Sequence, residues 1–273
     1  MTASVDRLTA GRSAVTAGIA AGVPGLRAAA GDDGVAVLLV DRPAKRNALT
    51  LAMWAALPDL LAGLASDPRV RVLLVSGAGD TFSAGADIAE LREVYADPGR
   101  AEAYHATNVA AEEALAGFPW PTLAVVRGAC VGGGCQLAVA CDIRLADPGA
   151  RFGLTPAKLG VVYPAAPAAR LTRLLGPARA KYLLFSGELV TASRAAAFGL
   201  VEEVVPDGGL EFRALTLART IAGHAALSVR AAKAAVAAAS AGADVAVAVD
   251  PWQRESLRSA EVAQRLAAFL QPR

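Results

Sequence analysis

Histidine is scarce in this 273-residue chain, which holds two, and cysteine is represented by three residues. His105 and His224 lie far apart, without cysteines or paired carboxylates at ligand spacing, so no metal site is expected. Cys130, Cys135 and Cys141 crowd into one apolar stretch, form no CxxC pair and are odd in number. They read as small core residues in a reducing compartment rather than as a disulfide framework. Neither sign of charge prevails: the formal net charge is +2, with the signs interspersed. The clustered Lys and Arg that a nucleic acid or an anionic membrane surface would require are missing. No apolar run approaches the roughly 18 to 20 residues that span a bilayer, because the Ala-rich stretch from Ala231 to Val249 is interrupted by Gly242 and Asp244. The expectation is a cytoplasmic protein with a small-molecule ligand, and with neither nucleic acid nor membrane as partner.

The length suits one large domain with an appendage. Residues 1–30 pair Arg7 and Arg12 with "AVTAGIAAGVPGL", a loose imitation of a secretory signal whose Gly, Thr and Pro make a poor apolar segment. A mobile N-terminal extension is expected there. Short apolar runs then alternate with helical patterns: "VAVLLV" (Val35 to Val40), "VRVLLVS" (Val70 to Ser76), "TLAVVRG" (Thr122 to Gly128) and "CDIRLA" (Cys141 to Ala146). Continuously apolar strands separated by helices imply a parallel sheet covered on both faces, so the class is α/β. Between the first two runs, "LTLAMWAALPDLLAGLASDP" predicts a helix with Pro58 inside it, which should shift or kink its first turns. The expected organisation is a core over residues 31–206 and a helical region over 207–273.

Three segments could carry chemistry. "GAGDTFSAGADI" (Gly77 to Ile88) is a Gly-rich loop after a strand that can present the amides of Ala86 and its neighbours, or can simply turn the chain. Gly132, Gly133 and Gly134 run into an apolar helix, with no Lys to complete a P-loop. Their amides and the positive helix end can stabilise an oxygen that becomes negative, or the glycines can serve only to let the helix pack closely. "ARFGLTPAKLGVVYP" (Ala150 to Pro164) offers Thr155, Lys158 and Tyr163 as polar groups, each equally readable as a solvated or packing residue. "GAGDTFSAG" alone also resembles the signature of ribokinase-type sugar kinases, in which Asp80 would act as base, although those kinases carry it late in the chain.

The order and spacing of several pieces carry a broader resemblance. They are "DRPAKRNALT", "FSAGADI", "PTLAVVRGACVGGGCQLAVACDIRLA", "RFG" with "KLG", "ARLTRLLGPARAKYLLFSGELVTASRAAAFGLVEEVVP" and a weaker "LAAFL". Together, over roughly residues 34–270, they resemble the crotonase family, the enoyl-CoA hydratase and isomerase superfamily. The resemblance implies a spiral of ββα units, a homotrimer or a dimer of trimers, and an acyl-CoA thioester as ligand. Coenzyme A would arrive as part of the substrate, with no cofactor bound permanently. It further implies that the amides of Ala86 and Gly133 form the oxyanion hole for the thioester carbonyl. Lys45, Arg46 and Ala48 would line the nucleotide end of CoA, Gly85 and Asp87 the adenine and pantetheine arm, and Phe269 would contact adenine. A basic residue common two places after Asp87 is replaced here by Ala89, and a lysine common three places after Phe269 by Pro272, with Arg273 nearby.

The two glutamates of the family's hydratases correspond to Gln136 and Pro156 here. Addition of water to an enoyl thioester needs a base for the water and an acid for the α-carbon, and a neutral amide has no useful pKa for either. The position that some dienoyl isomerases use is Pro164. Hydration by the two-glutamate mechanism is therefore expected to be weak or absent. Any acid-base group must come from Asp87, Glu90, Tyr95, His105, Glu112, Glu113, Lys158 or Tyr163, and the resemblance implies that the helix from His105 to Phe118 lines part of the acyl pocket. Two functions follow: an enzyme that stabilises a thioester enolate, or a catalytically silent acyl-CoA carrier or sensor.

Overall fold

Runs of β-branched and leucine side chains with no polar face make strands that must be buried on both sides. The structure, a computed structural model, describes residues 8–9, 13–14, 23–206 and 208–270. In it Val35–Val40 forms β3, Val72–Gly77 β4, Thr122–Val126 β5 and Ile143–Ala146 β7, hydrogen-bonded as parallel neighbours. Ser13–Ala14 (β1) and Leu26–Ala30 (β2) extend one edge antiparallel, and Glu203–Val204 (β10) closes the other. The described residues thus form a seven-stranded sheet of order β1-β2-β3-β4-β5-β7-β10. A second sheet joins Ala129–Val131 (β6), Arg151–Gly153 (β8) and Val190–Thr191 (β9). The α/β class expected from the alternation of strands and helices holds. Much of the expected N-terminal extension lies outside the described residues, and its last part, Leu26–Ala30, belongs to the sheet.

Alternate strand residues serve opposite cores. Ala36, Leu38, Val40, Leu73, Val75, Ala124 and Val126 pack with Met53, Trp54 and Leu57 of α1 (Leu51–Ser66). The intervening Val35, Val37, Val72, Leu74, Leu123 and Val125 pack on Leu210, Ala214 and Ala218 of α9 (Leu210–Ala222). Helix α1 begins where the Thr50 hydroxyl accepts from the Met53 amide and buries positions spaced three and four apart, as an amphipathic helix must. It runs through Pro58, which lacks the N–H to reach back one turn.

The remaining helices are α2 (Ile88–Val94), α3 (Pro98–Ala116), α4 (Gly133–Ala140), α5 (Pro156–Leu159), α6 (Ala165–Leu175), α7 (Pro177–Ser186) and α8 (Ala192–Phe198). After α9 the chain continues as α10 (Ala226–Ala241), α11 (Val245–Ser256) and α12 (Ala260–Phe269). The break between α10 and α11 falls at Gly242, whose φ is +69°, and Asp244 caps the new helix through the amides of Ala246 and Val247. Helices α10 and α11 bury no residue fully, so side-chain contacts hold them. Arg230 sits over both Trp120 and Trp252, at 5.0 and 4.8 Å from the rings, while Lys233 Nζ donates to Asp142 Oδ2 at 2.7 Å and to the Trp120 carbonyl at 2.9 Å. No helix among the described residues is long and apolar enough to cross a membrane.

Candidate functional site

A strand end whose loop must return close to two other segments needs small residues and a clasp. Asn47 is that clasp. Fully buried and held at φ +55°, it donates through Nδ2 to the carbonyls of Ala78 (2.8 Å) and Thr81 (2.5 Å), and its Oδ1 accepts from the Arg42 amide. Ser83, equally buried, donates to the Asn47 carbonyl at 2.7 Å and accepts from the Gly85 amide at 3.1 Å. Leu49 grips the loop from the other side, its amide on the Gly85 carbonyl and its carbonyl under the Asp87 amide. None of these three was singled out from the sequence. The Asn in "RNALT" was the available signal, since Asn tolerates left-handed backbone and bonds locally.

The glycine run approaches the same loop. A Cβ on Gly133 would lie 2.7 Å from the Trp54 ring, one on Gly134 2.6 Å from the Ser83 Cβ, and one on Gly85, at φ +98°, 2.8 Å from the Val131 carbonyl oxygen. Close packing therefore requires glycine here. It also brings two donors together: Ala86 and Gly133 line one pocket. Among the described residues neither amide donates to a protein acceptor, because Ala86 sits between the two hydrogen bonds to Leu49 and Gly133 opens α4.

The pocket wall is completed by Gln136 on α4, Pro156 at the start of α5, and Tyr163 and Pro164 before α6. Tyr95, Tyr104, His105 and Asn108, from α2's end and α3, line it opposite. Among the described residues that line it there is no Asp, Glu, Lys or Cys. Among the described residues the buried Tyr163 hydroxyl meets no hydrogen-bond partner, and burial pushes its phenol well above the ordinary range. Burial likewise pushes the Tyr104 phenol up to about 12. Both therefore remain neutral donors near pH 7.

The carboxylates named from the sequence are bound elsewhere. Burial tends to raise Asp87, but hydrogen bonds and charge from Arg42 outweigh it and hold the carboxyl low; Asp87 also caps α2 through the Ala89 amide. Glu90 accepts from the Leu51 amide at 2.6 Å. Buried Glu112 and neighbouring Glu113 both pair with Arg170 of α6. Burial pushes Glu112 up to about 7 against the attraction of Arg170.

Among the residues assigned by resemblance, Gly85, Ala86, Gly133, Gln136, Pro156 and Tyr163 come together at the pocket. Lys45 and Arg46 stand exposed on the turn that begins at Pro43, outside its wall, while Ala48 is buried with its carbonyl under Arg42. The Phe269 side chain lies outside the described residues. All three cysteines are free and buried, consistent with core residues. Among the described residues no group of three or more His, Cys, Asp or Glu is placed to hold a metal ion.

Residues 30–255 match the family model described as enoyl-CoA hydratase/isomerase. The 2,3-dehydroadipyl-CoA hydratase of Escherichia coli K12 is 38% identical over 203 residues, covering 74% of this chain and 78% of that protein. The crotonyl-CoA hydratase of Syntrophomonas wolfei is 35% identical over 205 residues, covering 75% and 78%. A solved structure described as an enoyl-CoA hydratase/carnithine racemase, from Magnetospirillum magneticum, superposes with a TM-score of 0.85 at 32% identity, covering 91% of this chain and 93% of that one.

Proposed function

Because the chain belongs to the enoyl-CoA hydratase/isomerase family, we propose that its pocket binds an acyl-CoA thioester and stabilises the thioester's enolate. The carrying observation is the pair of unpartnered amides, Ala86 and Gly133, on one apolar pocket wall. A thioester carbonyl placed between them would accept two hydrogen bonds, and these strengthen as negative charge develops on oxygen. Fixed donors of this kind typically contribute about two to three orders of magnitude in rate each. The positive end of α4 adds to the effect.

The CoA portion would leave the pocket past Gly85 and Asp87. Exposed Lys45 and Arg46 are available to its phosphates, as family resemblance suggests, and Ala48 and Phe269 remain candidates by resemblance alone. Coenzyme A enters as part of the substrate. The apolar side chains exposed on α10, α11 and α12, among them Val236, Val247 and Leu266, favour a homotrimer or a dimer of trimers over an isolated chain.

The hydratase reaction is the poorest fit. Gln136 and Pro156 stand where the resemblance puts two glutamates, and among the described residues no carboxylate lines the wall. That same absence favours a second reading, a silent acyl-CoA carrier or sensor. Calorimetric titration with butyryl-CoA alongside crotonyl-CoA turnover tests both. Binding with turnover far below about ten per second, the median for enzymes, supports the proposal. Failure to bind butyryl-CoA overturns both readings, and turnover at the enzymic median contradicts the expected loss of hydration.

A further inference from the structure

With the carboxylates committed to Arg42, Leu51 and Arg170, the described residues leave the pocket wall one side chain able to accept a proton and hand it back, the imidazole of His105. It is not a loose surface histidine. Helix α2 ends at Val94 with Tyr95 as its cap, α3 starts at Pro98, and the corner between them sets the Tyr95 hydroxyl in a hydrogen bond with His105 Nε2. The two rings meet edge to face, with centroids 5.7 Å apart and planes at 84°. Tyr104 flanks the imidazole from its own helix at 6.3 Å. Both members of the pair line the pocket that holds Ala86 and Gly133.

We propose that His105, oriented by Tyr95, is the catalytic acid-base residue of this site, removing and returning the α-proton of the bound thioester. The proposal rests on the thioester reading above. When Nε2 keeps its proton and donates to the Tyr95 oxygen, Nδ1 is the base. The α-C–H bond breaks, its proton passes to Nδ1, and its electron pair becomes the enolate, whose oxygen accepts from the Ala86 and Gly133 amides. Return of a proton from the imidazolium to the α-carbon restores the thioester and the neutral ring. No oxidant, reductant or further reactant is consumed. Tyr95 acts through the imidazole and is a positioning residue.

The test is deuterium incorporation at C2 of butyryl-CoA in D2O, with affinity measured in parallel by calorimetry. The wild-type protein is expected to exchange the α-proton. His105→Gln should slow exchange by at least about 100-fold at unchanged affinity, and Tyr95→Phe should slow it less. Imidazole added to His105→Ala should restore part of the lost exchange, which a purely structural histidine would not allow. Undiminished exchange in His105→Gln overturns the proposal, as does lost exchange in His105→Ala that imidazole fails to restore. Wild-type protein that binds butyryl-CoA without exchanging it overturns the proposal and leaves thioester binding intact. Absence of binding overturns the thioester reading itself.

Discussion

Arg42 and Asp87 form a forked ion pair, with both terminal guanidinium nitrogens 3.1 Å from Asp87 Oδ2. The pair joins the turn after β3 to the start of α2, and Ala86 is the residue between this anchor and Gly85. Asp87 is therefore a fastening for the Ala86 amide rather than an acid-base group. Asp87→Asn is expected to lower stability by about 1.5 to 3 kcal/mol, the scale of a hydrogen bond to a charged group, and to weaken butyryl-CoA binding. Because Arg42 depresses the carboxyl in the folded state, its contribution is present above its ordinary value of 3.8 and is lost as pH falls through the lower folded value. Thermal unfolding of wild type and variant should converge in that acid range.

Asn47 provides a second test of the scaffold. Asn47→Ala removes the donors to Ala78 and Thr81 and the acceptor for Arg42, and it places a Cβ-bearing residue without local bonding at φ +55°. Asn47→Gly relieves the backbone and loses the same bonds. Denaturant unfolding should show both destabilised by at least about 2 kcal/mol, with the alanine variant the worse of the two.

Glu112 should make stability fall as pH rises. Its carboxyl is raised by burial in the folded protein, so its stabilising contribution is complete below its ordinary value of 4.5 and is lost as pH climbs through about 7. Glu112→Gln is expected to flatten the decline in Tm between those values, as differential scanning calorimetry across the range would reveal.

If Gln136 and Pro156 occupy the positions of the hydratase glutamates, as proposed, placing carboxylates there should raise hydration. Gln136 and Pro156 face the same pocket as Ala86 and Gly133. The double variant Gln136→Glu, Pro156→Glu is expected to hydrate crotonyl-CoA at least about 100-fold faster than wild type, as followed by loss of enoyl absorbance.

Val35–Val40 was legible residue for residue, because an all-apolar run of that length has few other uses, whereas Gly242 and Asp244, read from sequence only as interruptions of an apolar run, prove to divide two helices. Gly85, Ala86 and Gly133 belong to short motifs whose glycines announce close approach, and the fold brings them to one pocket. Contacts between distant segments were not legible. Asn47 reaches a carbonyl 31 positions away, and the Tyr95–His105 pair exists only because α2 and α3 meet at a corner. The bond from the Arg42 guanidinium to the Ala48 carbonyl, six positions apart in sequence, is equally invisible in it.

The proposed role of the Ala86 and Gly133 amides is to hold a thioester carbonyl. The most direct measurement is the absorption spectrum of a conjugated enoyl-CoA, such as cinnamoyl-CoA, free and bound, because hydrogen bonds to the carbonyl oxygen polarise the conjugated system. A red shift on binding is the result expected. Stoichiometric binding with an unshifted spectrum would place the carbonyl away from those amides and contradict the account.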